Sequence, residues 1–128
     1  MRKLLLTISL LVVVTPTQAE WVRTGADTAQ GVIHYFDSET MQKEDHFRKV
    51  WALSSHDEMQ IGGYHSVKTL FEFDCAEERV RSQTMLLYSG VKASGDVVGA
   101  HHKEEPEDWF DFPPDSIFNV ISTIVCTK

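Results

Sequence analysis

Between Tyr64 and Cys75 the chain reads YHSVKTLFEFDC, and this stretch limits the possible folds more than any other. Val67, Thr69, Phe71, Phe73 and Cys75 fall on one side of an extended chain, against Ser66, Lys68, Glu72 and Asp74 on the other. A period of two is the mark of a strand that buries one face. Leu70 is the one apolar residue on the polar side. The apolar side ends on a cysteine, and the only other cysteine is Cys126, close to the C-terminus. If the two are joined, the end of this strand must lie beside the end of the chain.

Whether they are joined depends on compartment. The N-terminal stretch MRKLLLTISLLVVVTPTQAE places Arg2 and Lys3 ahead of a run from Leu4 to Val14 that only Thr7 and Ser9 interrupt. Pro16 ends the run, and Thr17-Gln18-Ala19 offers the small residues a signal peptidase reads. The run is shorter than the roughly 20 residues an ordinary membrane helix needs. We therefore expect an export signal over residues 1–19, cut after Ala19, rather than an uncleaved anchor. A single soluble domain over residues 20–128 follows, with no cysteine at the cut to carry lipid. Outside the cytosol a cysteine pair is normally oxidised. Cys75 and Cys126 are expected to form a structural disulfide, which the chain-entropy model values at about 4 kcal/mol for a loop of about 50 residues. A redox thiol would call for a C-x-x-C pair, which the chain lacks.

Arg2 and Lys3 leave with the signal, so the formal charge of −7 becomes −9. That field opposes nucleic acid and anionic lipid, and suits either plain solubility or a basic protein partner.

Further strands are expected over residues 31–37, 47–55, 79–90 and 95–103. Gly62-Gly63, Ala76-Glu77 and Ser94-Gly95-Asp96 mark tight connections, which make successive strands antiparallel. Residues 104–114, EEPEDWFDFPP, break the pattern with three prolines, five acids and three aromatics. After them Ile117, Val120, Ile121, Ile124 and Val125 form the stripe of one amphipathic helix, opened by Pro114 and Asp115 or Ser116. Cys126 falls about 180° from Ile117 on that helix. Either the helix ends near Ile124, or it lies at the margin of the sheet. The class is α+β: one antiparallel sheet carrying one C-terminal helix tied on by the disulfide.

No catalytic or metal constellation stands out, and neither an enzyme activity nor a cofactor is expected. His101 and His102 are strand neighbours whose side chains leave opposite faces, while His34 and His65 sit singly within strands. Glu72 and Asp74 share a strand face and would pair with Arg79 and Arg81 across to the next strand, as a solvated ion-pair face. Trp51 is expected in the core, with Trp21 and Trp109 over the sheet's edges. The remaining candidate is the acidic stretch itself. Glu104, Glu105, Glu107 and Asp108 surround Trp109, an aromatic anchor amid charges, and would form a partner-binding surface. The plainer alternative is that its aromatics pack beneath the helix.

Several of these stretches resemble the surface-adhesin protein E family of Gram-negative bacteria. They are Tyr35-Phe36-Asp37-Ser38, Val50-Trp51-Ala52-Leu53, Ser66-Val67-Lys68 leading to Glu72-Phe73-Asp74-Cys75, and Tyr88-Ser89-Gly90. The last runs from Pro106-Glu107-Asp108-Trp109 through Pro113-Pro114-Asp115-Ser116 to Val125-Cys126. The resemblance implies a sheet of about six antiparallel strands and one disulfide-tied helix. It also implies outer-surface adhesion to host matrix and plasma proteins such as vitronectin and laminin. Three roles are thus in view: an adhesin-like binding module, an acidic periplasmic inhibitor of a cationic enzyme such as lysozyme, and a structural envelope protein. In each the partner is protein, with no nucleic acid and no membrane insertion, and a homodimer stays open.

Overall fold

In the computed structural model, residues 20–25 and 31–127 are described, together with residue 8; the expected export signal otherwise lies outside them. The alternating stretch is a strand, β5 (Tyr64–Asp74). It lies centrally in a sheet with β1 (Trp21–Arg23), β2 (Val32–Asp37), β3 (Gln42–Glu44), β4 (Phe47–Gln60), β6 (Arg79–Tyr88), β7 (Val97–His102) and β8 (Phe110–Asp111). All pairings are antiparallel. The continuous path runs β1-β2-β4-β5-β6-β7, while β3 pairs with β4 and β8 with β6. The sheet thus has eight strands among the described residues, which corrects the expected six. The three strands outside the expected ranges are too short to carry a period: β1 is Trp-Val-Arg, β3 is the exposed polar triplet Gln-Lys-Glu, and β8 is two residues inside the acidic stretch.

The expected strand over 47–55 runs on to Gln60, through residues with no alternation, because it forms one arm of a hairpin with β5. Gly62 and Gly63 close that hairpin with φ of 105° and 78°, conformations that side chains with a Cβ adopt poorly.

One face of the sheet carries the core. Phe36, Val50, Ala52, Phe73 and Val80 bury themselves against Ile121 and Val125 of α1 (Ile117–Val125). Each fully buried large side chain contributes about 1.5–3 kcal/mol. The Ser116 hydroxyl accepts the Asn119 N–H and opens the helix. Phe118 also packs on this face, edge-on to Phe71 at 5.2 Å. Its position swings the buried side of the helix away from Ile117 and toward Cys126. The helix therefore continues through Val125, and Cys126, its C-terminal cap, still reaches Cys75 with the Cα atoms 5.7 Å apart. Of the two sequence alternatives, a helix ending near Ile124 agrees with the structure, which places its end one residue later, at Val125.

Trp51 is not in this core. Val50 and Ala52 face the helix, so period two sends Trp51 and Leu53 to the other face. There Trp51 is half-buried, with the Lys68 ammonium 4.5 Å from its ring centre. Leu53, Ser55 and Ser66 on that far face are buried, although no α-helix among the described residues covers them. Their cover is a short 3-10 turn, Val91–Ala93. Its Lys92 and Ala93 N–H groups donate to the Ser55 and Ser66 hydroxyls at 2.9 Å each, and the Ser66 hydroxyl donates to the Gly90 carbonyl at 2.6 Å.

Candidate functional site

The acidic stretch leaves β7 alongside β6. The Lys103 N–H donates to the Gln83 carbonyl at 3.1 Å, and the Glu107 N–H donates to the Ser82 carbonyl at 2.9 Å. The connection is therefore held by backbone bonds and does not hang free. Glu104, Glu105, Glu107 and Asp108 are all exposed along it. Glu107 has company: the Lys103 ammonium lies 2.7 Å from its carboxylate and His101 lies 3.9 Å away. The hydrogen bond from Lys103 holds the Glu107 carboxyl below its usual range. His102 turns elsewhere, to the Thr84 hydroxyl at 2.7 Å, as neighbours on a strand should.

Trp109 turns inward and is half-buried. Its ring stacks on Phe47 with centroids 5.9 Å apart, and the guanidinium groups of Arg81 and Arg79 lie 4.1 and 4.9 Å from its centre. Those arginines meet the partners expected from the sequence. Arg81 Nε donates to Glu72 at 2.7 Å, and Arg79 Nε donates to Asp74 at 3.1 Å. The expectation of a solvated face fails here, because Asp74 is only 2% exposed. Burial works to raise its carboxyl. The N–H of Glu77, the Arg79 guanidinium, the N–H of Ala76 and the charge of His46 outweigh that and hold it below its usual range. Asp74 thus shapes the turn that carries Cys75 while fixing one of the arginines under Trp109.

The aromatics of the stretch divide between the two faces of the sheet. Phe110 and Phe112 go to the helix face, with ring centroids 5.4 and 6.5 Å from Phe118, and Trp109 goes to the opposite face. The packing alternative read from the sequence therefore describes two aromatics out of three. The five candidate residues lie together as one surface. Its acids face solvent, and its tryptophan clamps them to a ladder of paired charges.

A cavity of about 450 Å³ opens on the far face near the 3-10 turn, lined by Arg23, Tyr35, His56, Asp57 and Lys92 among others. Val91 and Lys92 bring the turn to its rim, and Lys92 is left-handed with a φ of 54°. Nothing in Val-Lys-Ala announces that conformation, so reading the sequence missed the cavity. Among the described residues no group of three or more histidines, cysteines or carboxylates converges as a metal site. Nor is any described helix long and apolar enough to cross a membrane.

The family model for surface-adhesin protein E matches residues 21–127, almost the whole described domain. The chain belongs to the surface-adhesin protein E family. Solved structures agree on the fold. Crystal form II of Haemophilus influenzae protein E superposes with a TM-score of 0.60 at 16% identity, covering 85% of this chain and 97% of that one. The selenomethionine form of the same protein gives 0.60 at 15% identity, over 87% and 96%. Protein E from non-typeable Haemophilus influenzae gives 0.57 at 16% identity, over 86% of each. No curated protein sequence matches the chain. At such identities the likeness to these structures establishes the fold, and function has to be argued from this chain's own surface.

Proposed function

We propose that the exported chain is a non-enzymatic protein-binding module of the cell envelope, adhesin-like, which engages a basic protein surface through residues 104–109. The observation that carries this reading is a surface of four exposed acids held in register by Trp109, in a member of an adhesin family. A mobile acidic loop would lose conformational entropy on binding, whereas this one is already ordered by backbone bonds to β6. A mature charge of −9 speeds encounter with a cationic patch on a matrix or plasma protein.

The test is to follow the protein on intact cells and measure adhesion of those cells to immobilised matrix proteins. Surface display with adhesion that falls when residues 104, 105, 107 and 108 are neutralised supports the reading. Retention in the periplasm, with slowing of lysozyme, transfers the same acidic surface to the inhibitor role. Turnover of a substrate by the purified protein overturns a binding module in either form.

A further inference from the structure

The first tertiary contact of the domain is made by the backbone nitrogen of Glu20, which donates to the Asp37 carboxylate at 3.2 Å. Asp37 is 1% exposed, at the end of β2, and among the described residues no Lys, Arg or His side chain forms an ion pair with it. The same oxygen accepts the Glu39 N–H at 3.0 Å, and the other accepts the Thr40 hydroxyl at 2.6 Å. A charge this deeply buried is costly unless an opposite charge offsets it. Two more carboxylates crowd the spot. A hydrogen bond with the Glu20 side chain, then the charge of Glu20, push the Glu39 carboxyl above its usual range, with Asp37 adding to the effect.

From this we infer that signal cleavage after Ala19 completes the fold: the α-ammonium freed at Glu20 forms an ion pair with buried Asp37 and offsets one of the negative charges crowded there, which the amide of the uncut chain cannot do. The inference rests on the export reading of residues 1–19. Two unrelated observations meet at one bond. The small-residue motif places the cut between Ala19 and Glu20, and the geometry places the nitrogen of Glu20 on a buried carboxylate. In the uncut chain that nitrogen is an amide, a neutral donor. Hydrolysis of the Ala19–Glu20 peptide bond adds water, leaving a carboxylate on the departing signal and a protonated amine on the domain. The hydrogen bond is thereby upgraded to a charge-assisted one without any change of partner. A cut one residue later would remove the nitrogen that makes the contact. The domain is therefore expected to lock only after processing.

The test uses the domain over residues 20–128 with a free Glu20 amine, against the same domain preceded by Gly-Ser. The extension keeps the Glu20 N–H and removes only its charge. Charge assistance makes a hydrogen bond roughly twice as strong, so the extended form should have an unfolding equilibrium constant higher by about five- to tenfold. The gap should vanish in Asp37→Asn, which keeps an acceptor for the Glu39 N–H. If that variant does not fold, NMR titration of the wild-type α-amine serves instead. Ion pairing should raise its pKa clearly above the ordinary 7.7–8.0 or so. Equal stability of the two forms, an unshifted amine, or a gap that survives Asp37→Asn overturns the inference. None of these outcomes touches the binding reading, which concerns residues 104–109.

Discussion

The two faces of the sheet are held by different physics. On the helix face Phe73, Val50 and Val80 meet Ile121 and Val125, and a disulfide fastens the helix to the strand beneath it. On the far face no second α-helix lies among the described residues. Carboxylates pair with arginines, Trp109 covers the arginines, and buried serines pin a short turn. Apolar burial on the first face is non-directional and tolerates imprecise geometry. The second depends on each hydrogen bond being made, because an unpaired buried group costs its full desolvation. A small domain with one helix can thus cover the second side of its sheet by neutralising charge in place, and the cover doubles as the base of the acidic surface.

Substitutions on the two faces should separate these contributions. The largest expected effect is on the helix face. Phe73→Ala should cost about 3–5 kcal/mol in denaturant unfolding. Cys75→Ser or Cys126→Ser should cost about 2–5 kcal/mol, and reduction of the wild type should lower its melting temperature in the same sense. Free thiols titrating in the native protein would refute the bond.

Asp74→Asn tests the far face at its most buried point, and a loss of about 1–3 kcal/mol at neutral pH is expected. Its pH dependence has a definite sign. A carboxyl held below its ordinary value stabilises the fold above the unfolded pKa, about 3.9, and loses that contribution as pH falls from there toward the folded pKa. The wild type should therefore weaken in that acid window more steeply than Asp74→Asn. Trp109→Ala should be milder, about 1–2 kcal/mol, since the ring is half-exposed and each arginine keeps its carboxylate.

How much of this was legible in the sequence follows the same division. Period two found β5, short apolar runs between turn signals found β2, β4, β6 and β7, and the spacing of Ile117, Ile121 and Val125 found α1, because these patterns reflect burial of apolar side chains. The disulfide followed from compartment and the presence of one pair alone. The far face was harder. Asp74 and Ser66 fall on the polar side of the alternating strand, yet both are buried: Asp74 is satisfied by Ala76, Glu77 and Arg79 just beyond it, and Ser66 by the distant turn at Gly90 and Ala93. Trp51 reads as core in so small a domain and in a run apolar on both faces, yet its alternation with Val50 places it opposite. β3 and β8 exist through pairing with a neighbour, which no local pattern records. The acidic surface was visible as composition, but the inward turn of Trp109 was not, since it depends on arginines two strands' length away along the chain.

The smallest effect on stability should come from the acids themselves. Neutralising Glu104, Glu105, Glu107 and Asp108 together should leave the melting temperature nearly unchanged, because all four side chains are exposed and solvent screens their pairings. Their weight should appear in association. The most direct measurement is the association rate of the mature protein with a basic protein partner, lysozyme serving as one probe and an immobilised matrix protein as the other, at rising ionic strength. The account predicts fast association at low salt that slows as salt is added, and a variant lacking the four charges that associates slowly at every salt concentration while melting almost as the wild type does. A wild-type rate indifferent to salt, or a neutralised variant that binds as fast as the parent, would contradict it.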